Sequence, residues 1–264
     1  MSHQARKRFG QNFLIDNRVI DLIIQSINPQ PDQTLVEIGP GLGALTLPLL
    51  KRAGKLNVIE LDRDVIPLLV KTCAGAGELI VHNVDVLQFD FNTLLDDHNK
   101  LRLIGNLPYN ISTPILFKLL DHAEHIQDMF FMLQKEVVKR MAAAPDSGAY
   151  GRLSIMLQYH CKVTELFIVP PQAFNPEPKV DSAIINLQPR KPECPVSNYA
   201  LLEKVVKQAF STRRKTIRNT LKTLCSAEDL EAVGIQPGVR PENIAPIEYY
   251  KLTNYLDNKM QEQS

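Results

Sequence analysis

The apolar positions of this chain change period along its length. Residues 16–27, DNRVIDLIIQSI, open on an Asp able to cap a helix and carry apolar side chains at helical spacing, and Asn28-Pro29-Gln30-Pro31 ends that helix. From residue 34 short apolar runs take over. TLVEIG (34–39), KLNVIEL (55–61), ELIVHNV (78–84) and LRLIGN (101–106) predict four strands, and helical periodicity at 44–52, 63–72 and 112–122 predicts helices between or after them. Nearly continuous apolar strands separated by helices imply a mostly parallel sheet covered on both faces. MFFMLQ (129–134), CKVTELFIV (161–169) and DSAIINLQ (181–188) predict further strands, and 143–151 a surface loop. The proline-rich stretch 188–195 reads as a linker; beyond it, 198–225 and 247–260 read as helices, with a short helical turn at 230–235. An α/β domain over 1–190 and a small all-helical domain over 191–264 are expected.

Composition narrows this picture. The length of 264 residues suits one large or two unequal domains, and 44% hydrophobic with 22% charged residues is a globular balance. With 30 Lys+Arg against 29 Asp+Glu, a surface for a polyanion has to come from local segregation of charge. No run approaches the ~18 apolar residues of a membrane span, and the basic N-terminus MSHQARKRFGQNFLID lacks the apolar core of a signal peptide. Cys73, Cys161, Cys194 and Cys225 show neither zinc-type nor disulfide-scaffold spacing, and His122 and His125 lack a third ligand pattern. No metal, no membrane and a reducing cytoplasmic setting are the expectations.

The candidate chemistry begins where the first parallel strand runs into Gly39-Pro40-Gly41-Leu42-Gly43. Glycines there let the backbone turn sharply and approach a ligand at the carboxyl end of a strand, where open sheets bind ligands. A ligand-free tight turn is the plain alternative. Gly39, Gly41 and Ala44 satisfy the relaxed dinucleotide fingerprint, and Glu60, 21 residues after Gly39, could hold a ribose hydroxyl. The loop alone leaves NAD and S-adenosylmethionine both open. Three features favour the adenosyl ligand. Glu37 makes the text E-x-G-x-G-x-G and disfavours a nearby pyrophosphate. Asp85 follows the third strand, where its carboxylate could accept from an adenine amino group or cap a turn. The fourth strand then ends in Asn106-Leu107-Pro108-Tyr109.

An exocyclic adenine amine is a poor nucleophile because its lone pair is delocalised into the ring. Two acceptors aimed at its two protons favour the tetrahedral geometry needed to attack a methyl sulfonium. The Asn106 amide oxygen and the Leu107 carbonyl can supply them, Pro108 restricts Leu107 to extended conformations, and Tyr109 can stack on an extruded base, worth ~1–3 kcal/mol. An ordinary strand-ending turn with a core tyrosine is the competing reading.

At this point the chain resembles the small-subunit (16S) ribosomal RNA adenine N6-dimethyltransferases, the dimethyladenosine transferase family. The resemblance covers nearly the whole chain: FGQNFL (9–14), VEIGPGLGALT (36–46), IELD (59–62), NVDVL (83–87), GNLPYNIST (105–113), MLQKEVVKR (132–140), YGRLSI (150–155), FNPEPKVDSAII (174–185) and FSTRRKTIRNTLK (210–222). It implies a Rossmann-like methyltransferase that uses S-adenosylmethionine. It further implies cofactor contacts at Asn12, Leu14, Gly39, Glu60, Asp85 and Asn106. The target-base pocket would comprise Asn106, Leu107, Tyr109 and Phe174, the last held by a proline-stiffened loop opposite Tyr109. FGQNFL becomes a flap over the cofactor, with Arg6, Lys7 and Arg8 near RNA; read bare, it is a basic tail.

Residues 204–222 carry Lys204, Lys207, Arg213, Arg214, Lys215, Arg218 and Lys222 and no acid, which tilts this expected helix from a merely solvated face toward phosphate contact, with Arg213, Arg214, Lys215 and Arg218 as its centre. The function expected is dimethylation of two adjacent adenosines near the 3' end of 16S rRNA, linked to small-subunit biogenesis. The partner is 16S rRNA within the small subunit or its precursor, with no DNA and a monomeric enzyme. Three rivals stand beside it: a large-subunit rRNA adenine methyltransferase of the macrolide-resistance type, an NAD-dependent dehydrogenase, and an assembly factor acting mainly by binding. PEPKVDSAII and GLGALT look more like the small-subunit enzyme than the first rival. Asn-Leu-Pro-Tyr and the lack of a hydride-site His or Lys disfavour the second.

Overall fold

The computed structural model describes residues 12–95, 99–108, 111–212 and 214–262. Strand β1 (Phe13–Leu14) leads into helix α1 (Asn17–Ile27), whose start is fixed by Asp16 accepting from the Arg18 and Val19 backbone N–H groups and whose end is Asn28 in the left-handed region. Its buried face is Ile23, Ile24 and Ile27. The alternation then runs β2 (Thr34–Ile38), α2 (Thr46–Ala53), β3 (Lys55–Ile59), α3 (Ile66–Thr72), β4 (Glu78–His82), β5 (Leu101–Asn106), α4 (Ser112–Leu120) and β6 (Ile126–Gln134). These strands stand in the order β4-β3-β2-β5-β6, each parallel to its neighbour. Helices α5 (Lys135–Ala142) and α6 (Arg152–His160) follow, then β7 (Cys161–Val169), β8 (Phe174–Asn175) and β9 (Ser182–Pro189). Strand β9 inserts antiparallel beside β6, with β7 outside it, completing a seven-stranded sheet, while β8 pairs with β1 as a separate two-stranded ribbon.

Two local features fix β5 in the sheet. A side chain at Gly105 would bring its Cβ to 2.6 Å from the Ile38 carbonyl oxygen, so glycine alone lets β5 close on β2 there. At the opposite end of β5, Arg102 is buried and fully engaged. It makes a two-bond pair with Asp128 (2.9 Å each) and donates to Gln33 Oε1 and the Ile27 carbonyl (2.7 Å each). Buried charges persist only when paired and hydrogen-bonded in this way. Nothing in the linear sequence announces the pair.

The chain divides into two compact units, Met1–Val138 with Thr164–Pro189, and Lys139–Val163 with Arg190–Ser264. A single cut near 190 therefore misplaces residues 139–163. Their helix α6 gives no sequence signal because Leu153, Ser154, Ile155, Met156, Leu157 and Tyr159 are all buried, leaving no polar face to set a period. The second unit continues with α7 (Tyr199–Ala209), α8 (Ile217–Leu221), α9 (Ala227–Ala232) and α10 (Pro246–Glu262). Buried tyrosine hydroxyls tie it together: Tyr150 to the Ile244 carbonyl at 2.9 Å, Tyr249 to that of Pro241 at 2.8 Å, and Tyr250 to that of Ile155 at 3.2 Å.

The helix expected over 198–225 is corrected to two. The Ile217 and Arg218 backbone N–H groups donate to the carbonyls of Val239 and Pro237 rather than to residues four earlier. Tertiary partners thus replace the helical bonds, and the hydroxyls of Ser211 and Thr212 sit at the break, where such residues compete with the helix.

Candidate active site

The carboxyl ends of β2, β3, β4 and β5 open into a cavity of about 990 Å³, lined wholly from the first unit. The glycine loop forms one wall. Gly39, Gly41 and Gly43 all have positive φ (68°, 53° and 93°), a region that L side chains avoid. The Gly39 N–H donates to the Ile59 carbonyl at 2.9 Å, tying the loop to the end of β3, and a Cβ at Gly41 would meet the Phe13 ring at 3.1 Å.

Glu60 follows β3 directly. Its Oε1 accepts from the Asp62 N–H at 2.8 Å and its Oε2 from the Gly41 N–H at 3.3 Å, so the acid binds the two loops that flank it. The Asn83 amide donates to the Glu60 carbonyl at 2.7 Å and fixes the backbone beneath it. Burial raises the Glu60 carboxyl above its ordinary range, against the pull of these backbone bonds. Asp85 lines the cavity after β4, and one of its oxygens accepts from the Leu87 N–H at 2.9 Å. Asp85 therefore caps the turn and also borders the cavity.

Asn106 ends β5, and its amide nitrogen donates to the Asn12 carbonyl at 3.0 Å. That bond assigns the amide's orientation and leaves its oxygen as the acceptor. Leu107 is 1% exposed and also lines the cavity, with its N–H held by the Met132 carbonyl at 3.2 Å. Asn12, Leu14 and Gly39 complete the group, so every residue anticipated as a cofactor contact borders one cavity.

Glu37 lies deeper. It is 2% exposed, borders the cavity from within β2, and its Oε2 has no hydrogen-bond partner among the described residues; neither does the neighbouring Thr46 hydroxyl. Burial pushes the Glu37 carboxyl up to about 8, and the Glu60 charge adds to the shift.

Phe174 is the exception among the described candidates for the target-base pocket. Pairing of β8 with β1 sets it opposite Leu14, 2% exposed in the hydrophobic core with Ile23 and Ile24, and it does not border the cavity. An open stacking face at Phe174 is therefore not what the fold presents. Tyr109, Arg213 and the basic tail with Arg6, Lys7 and Arg8 lie outside the described residues. Arg214 and Lys215 occupy the turn between α7 and α8, and Arg218 stands on α8; all three are exposed. Sequence reasoning misses Leu61, 49% exposed at the cavity, an apolar side chain immediately after the strand-end acid. Its position after Glu60 is the available signal.

A mostly parallel sheet with a positive-φ glycine loop, a strand-end acid and a strand-end asparagine around one cavity defines a Rossmann-like methyltransferase. Residues 2–258 match the family described as ribosomal RNA adenine dimethylase. The chain is 55% identical over 255 residues to Ribosomal RNA small subunit methyltransferase A of Pseudomonas aeruginosa, covering 96% of this chain and 95% of that one. It is 52% identical over 262 residues to the protein of the same name in Vibrio parahaemolyticus, covering 99% and 97%. Among solved structures it is similar to a dimethyladenosine transferase from Plasmodium falciparum (TM-score 0.79, 27% identity, 94% and 98% covered) and to the 23S rRNA methyltransferase ErmE (TM-score 0.73, 27% identity, 93% and 100% covered). The chain belongs to the ribosomal RNA adenine dimethylase family.

Proposed function

We propose that the chain transfers methyl groups from S-adenosylmethionine to N6 of two adjacent adenosines near the 3' end of 16S rRNA, in the small subunit or its precursor, acting as a cytoplasmic monomer. The observation that carries this reading is the Asn106 amide, held by the Asn12 carbonyl at the rim of a cavity walled by the glycine loop, Glu60 and Asp85. The cavity suits the cofactor in volume and in chemistry. Glu60 can accept from ribose hydroxyls, Asp85 from an adenine amino group, and Leu61 and Leu14 offer apolar faces.

S-adenosylmethionine, when bound, supplies an electrophilic methyl group on a sulfonium. Asn106 and the Leu107 carbonyl accept hydrogen bonds from the N6–H groups of the target adenine, and Tyr109 stacks on the flipped base, which must leave its helix to be reached. Phe174 supports this pocket from the β1–β8 ribbon behind Leu14. Arg213, Arg214, Lys215 and Arg218 hold backbone phosphates without reading sequence.

The small-subunit target is favoured over the large-subunit one by the names of relatives at 52–55% identity, against 27% to ErmE. Mass spectrometry of rRNA after incubation of small subunits with the protein and labelled cofactor tests the reading. Two adjacent dimethylated adenosines in 16S rRNA support it. Label in 23S rRNA alone moves the chain to the macrolide-resistance type, and binding without label leaves an assembly factor.

A further inference from the structure

We infer that Glu37 senses charge in the cavity: its carboxyl holds a proton while no cation lies beside it and releases that proton to solvent when a cationic sulfonium ligand binds, so the site distinguishes the sulfonium from its neutral thioether product. This inference rests on S-adenosylmethionine being the cofactor.

The geometry supplies the reasons. Glu37 borders the cavity from β2, two residues before the first glycine of the loop, yet is 2% exposed. Its Oε2 lacks a hydrogen-bond partner among the described residues, which is unusual for a buried polar atom and calls for an explanation. No cation among the described residues answers it. From α2 it meets the Thr46 hydroxyl; from the end of β3, Glu60, itself beside Asp62; and from the end of α3, the Cys73 thiol, which burial and the Glu37 charge together raise. Across the cavity stand Asp85 after β4, Asn106 of β5 and Asp21 of α1, and the lining cation, Lys51 of α2, is exposed to solvent.

A carboxyl so placed neutralises rather than remain a lone buried charge. Its titration is pushed up to about 8 by burial first, with the Glu60 like charge adding. The counter-charge missing from the protein is one that a sulfonium would bring. Sulfonium and thioether differ by one methyl group and one positive charge, and charge is the larger difference inside a cavity of low dielectric. Loss of the methyl would remove the cation, Glu37 would regain a proton from solvent, and the attraction holding the ligand would lapse with it.

The test is calorimetric and needs no turnover. The whole protein is titrated at about pH 6.5 in two buffers of different ionisation enthalpy with S-adenosylmethionine, with S-adenosylhomocysteine, and with sinefungin, whose amine carries the charge in place of the sulfonium. A carboxyl titrating near 8 in the free protein should release close to one proton more with either cationic ligand than with the thioether, by linkage. Affinity for S-adenosylmethionine should rise by about tenfold between pH 6 and 7, that for the thioether much less. Ribose contacts at Glu60 are common to all three ligands and cancel in the difference. Glu37→Gln should abolish the excess release while still binding the thioether. Equal proton release for the three ligands in the wild-type protein overturns the inference without help from any variant, and so does an excess that persists in Glu37→Gln. Absence of S-adenosylmethionine binding overturns the cofactor reading, and this inference with it.

Discussion

Replacing Asn106 by Ala removes two interactions at once, and their sizes differ enough to be told apart. The first is structural. The amide nitrogen donates to the Asn12 carbonyl at 3.0 Å in a partly buried setting. A bond of that kind contributes about 0.5–1.5 kcal/mol net. For a chain of this size, 1 kcal/mol corresponds to roughly 2–4 °C in melting temperature. The second is catalytic. The amide oxygen, left free by that donor bond, is the proposed hydrogen-bond acceptor for an adenine N6–H. By analogy with removing one preorganised donor from an oxyanion hole, its loss should slow the chemical step by about 10²–10³-fold. A melting shift of a few degrees is too small to depopulate the folded enzyme at 25 °C, so the two effects separate. The assay is single-turnover methylation of small subunits at saturating enzyme and cofactor, with thermal melting alongside. Asn106→Asp is the companion variant. It keeps an acceptor oxygen but cannot donate to Asn12, and it adds a negative charge to a cavity that already holds Glu37, Glu60 and Asp85. A near-wild-type single-turnover rate in folded Asn106→Ala would remove the amide from the mechanism. A rate that falls only in proportion to the unfolded fraction would reduce it to a turn residue.

Three other outcomes follow from the same geometry. Asp128→Ala leaves the Arg102 guanidinium buried without its carboxylate and should cost about 3–5 kcal/mol of stability, read by denaturant unfolding; a loss below about 1 kcal/mol would mean that water reaches Arg102. Phe174→Ala should cost about 3–5 kcal/mol as a core truncation, and its folded fraction should keep most of its cofactor affinity, whereas a stable variant with a lost rate would make Phe174 a surface platform instead. Replacing Arg214, Lys215 and Arg218 together by Ala should lower the slope of log K for RNA binding against log salt by about 0.7–0.9 for each phosphate no longer neutralised, and unchanged slopes would leave these exposed side chains without a role in RNA binding.

What can be read from the chain, and what cannot, follows from how far each feature reaches. The first four parallel strands are legible because each is a short apolar run ended by turn residues, and the cavity residues are legible because a parallel sheet brings successive strand ends together. Gly39, Glu60, Asp85 and Asn106 each fall at or just after such an end, so naming the strands already places them side by side. Features set by distant partners have no such signal. The Arg102–Asp128 pair looks like two unrelated charges inside apolar runs until β5 and β6 are paired. The break between α7 and α8 is held by carbonyls of Pro237 and Val239, about 20 residues downstream, which no local pattern around 210–216 announces. Phe174 turns inward because a two-residue strand pairs with another far earlier in the chain, Leu14 against Phe174. Motif text records which residue types a site needs, whereas the direction a side chain faces is set by its pairing partner. That is why the glycine loop is predictable with its neighbours, while the unpartnered Oε2 of Glu37 becomes visible only once β2, α2 and α3 have closed around it.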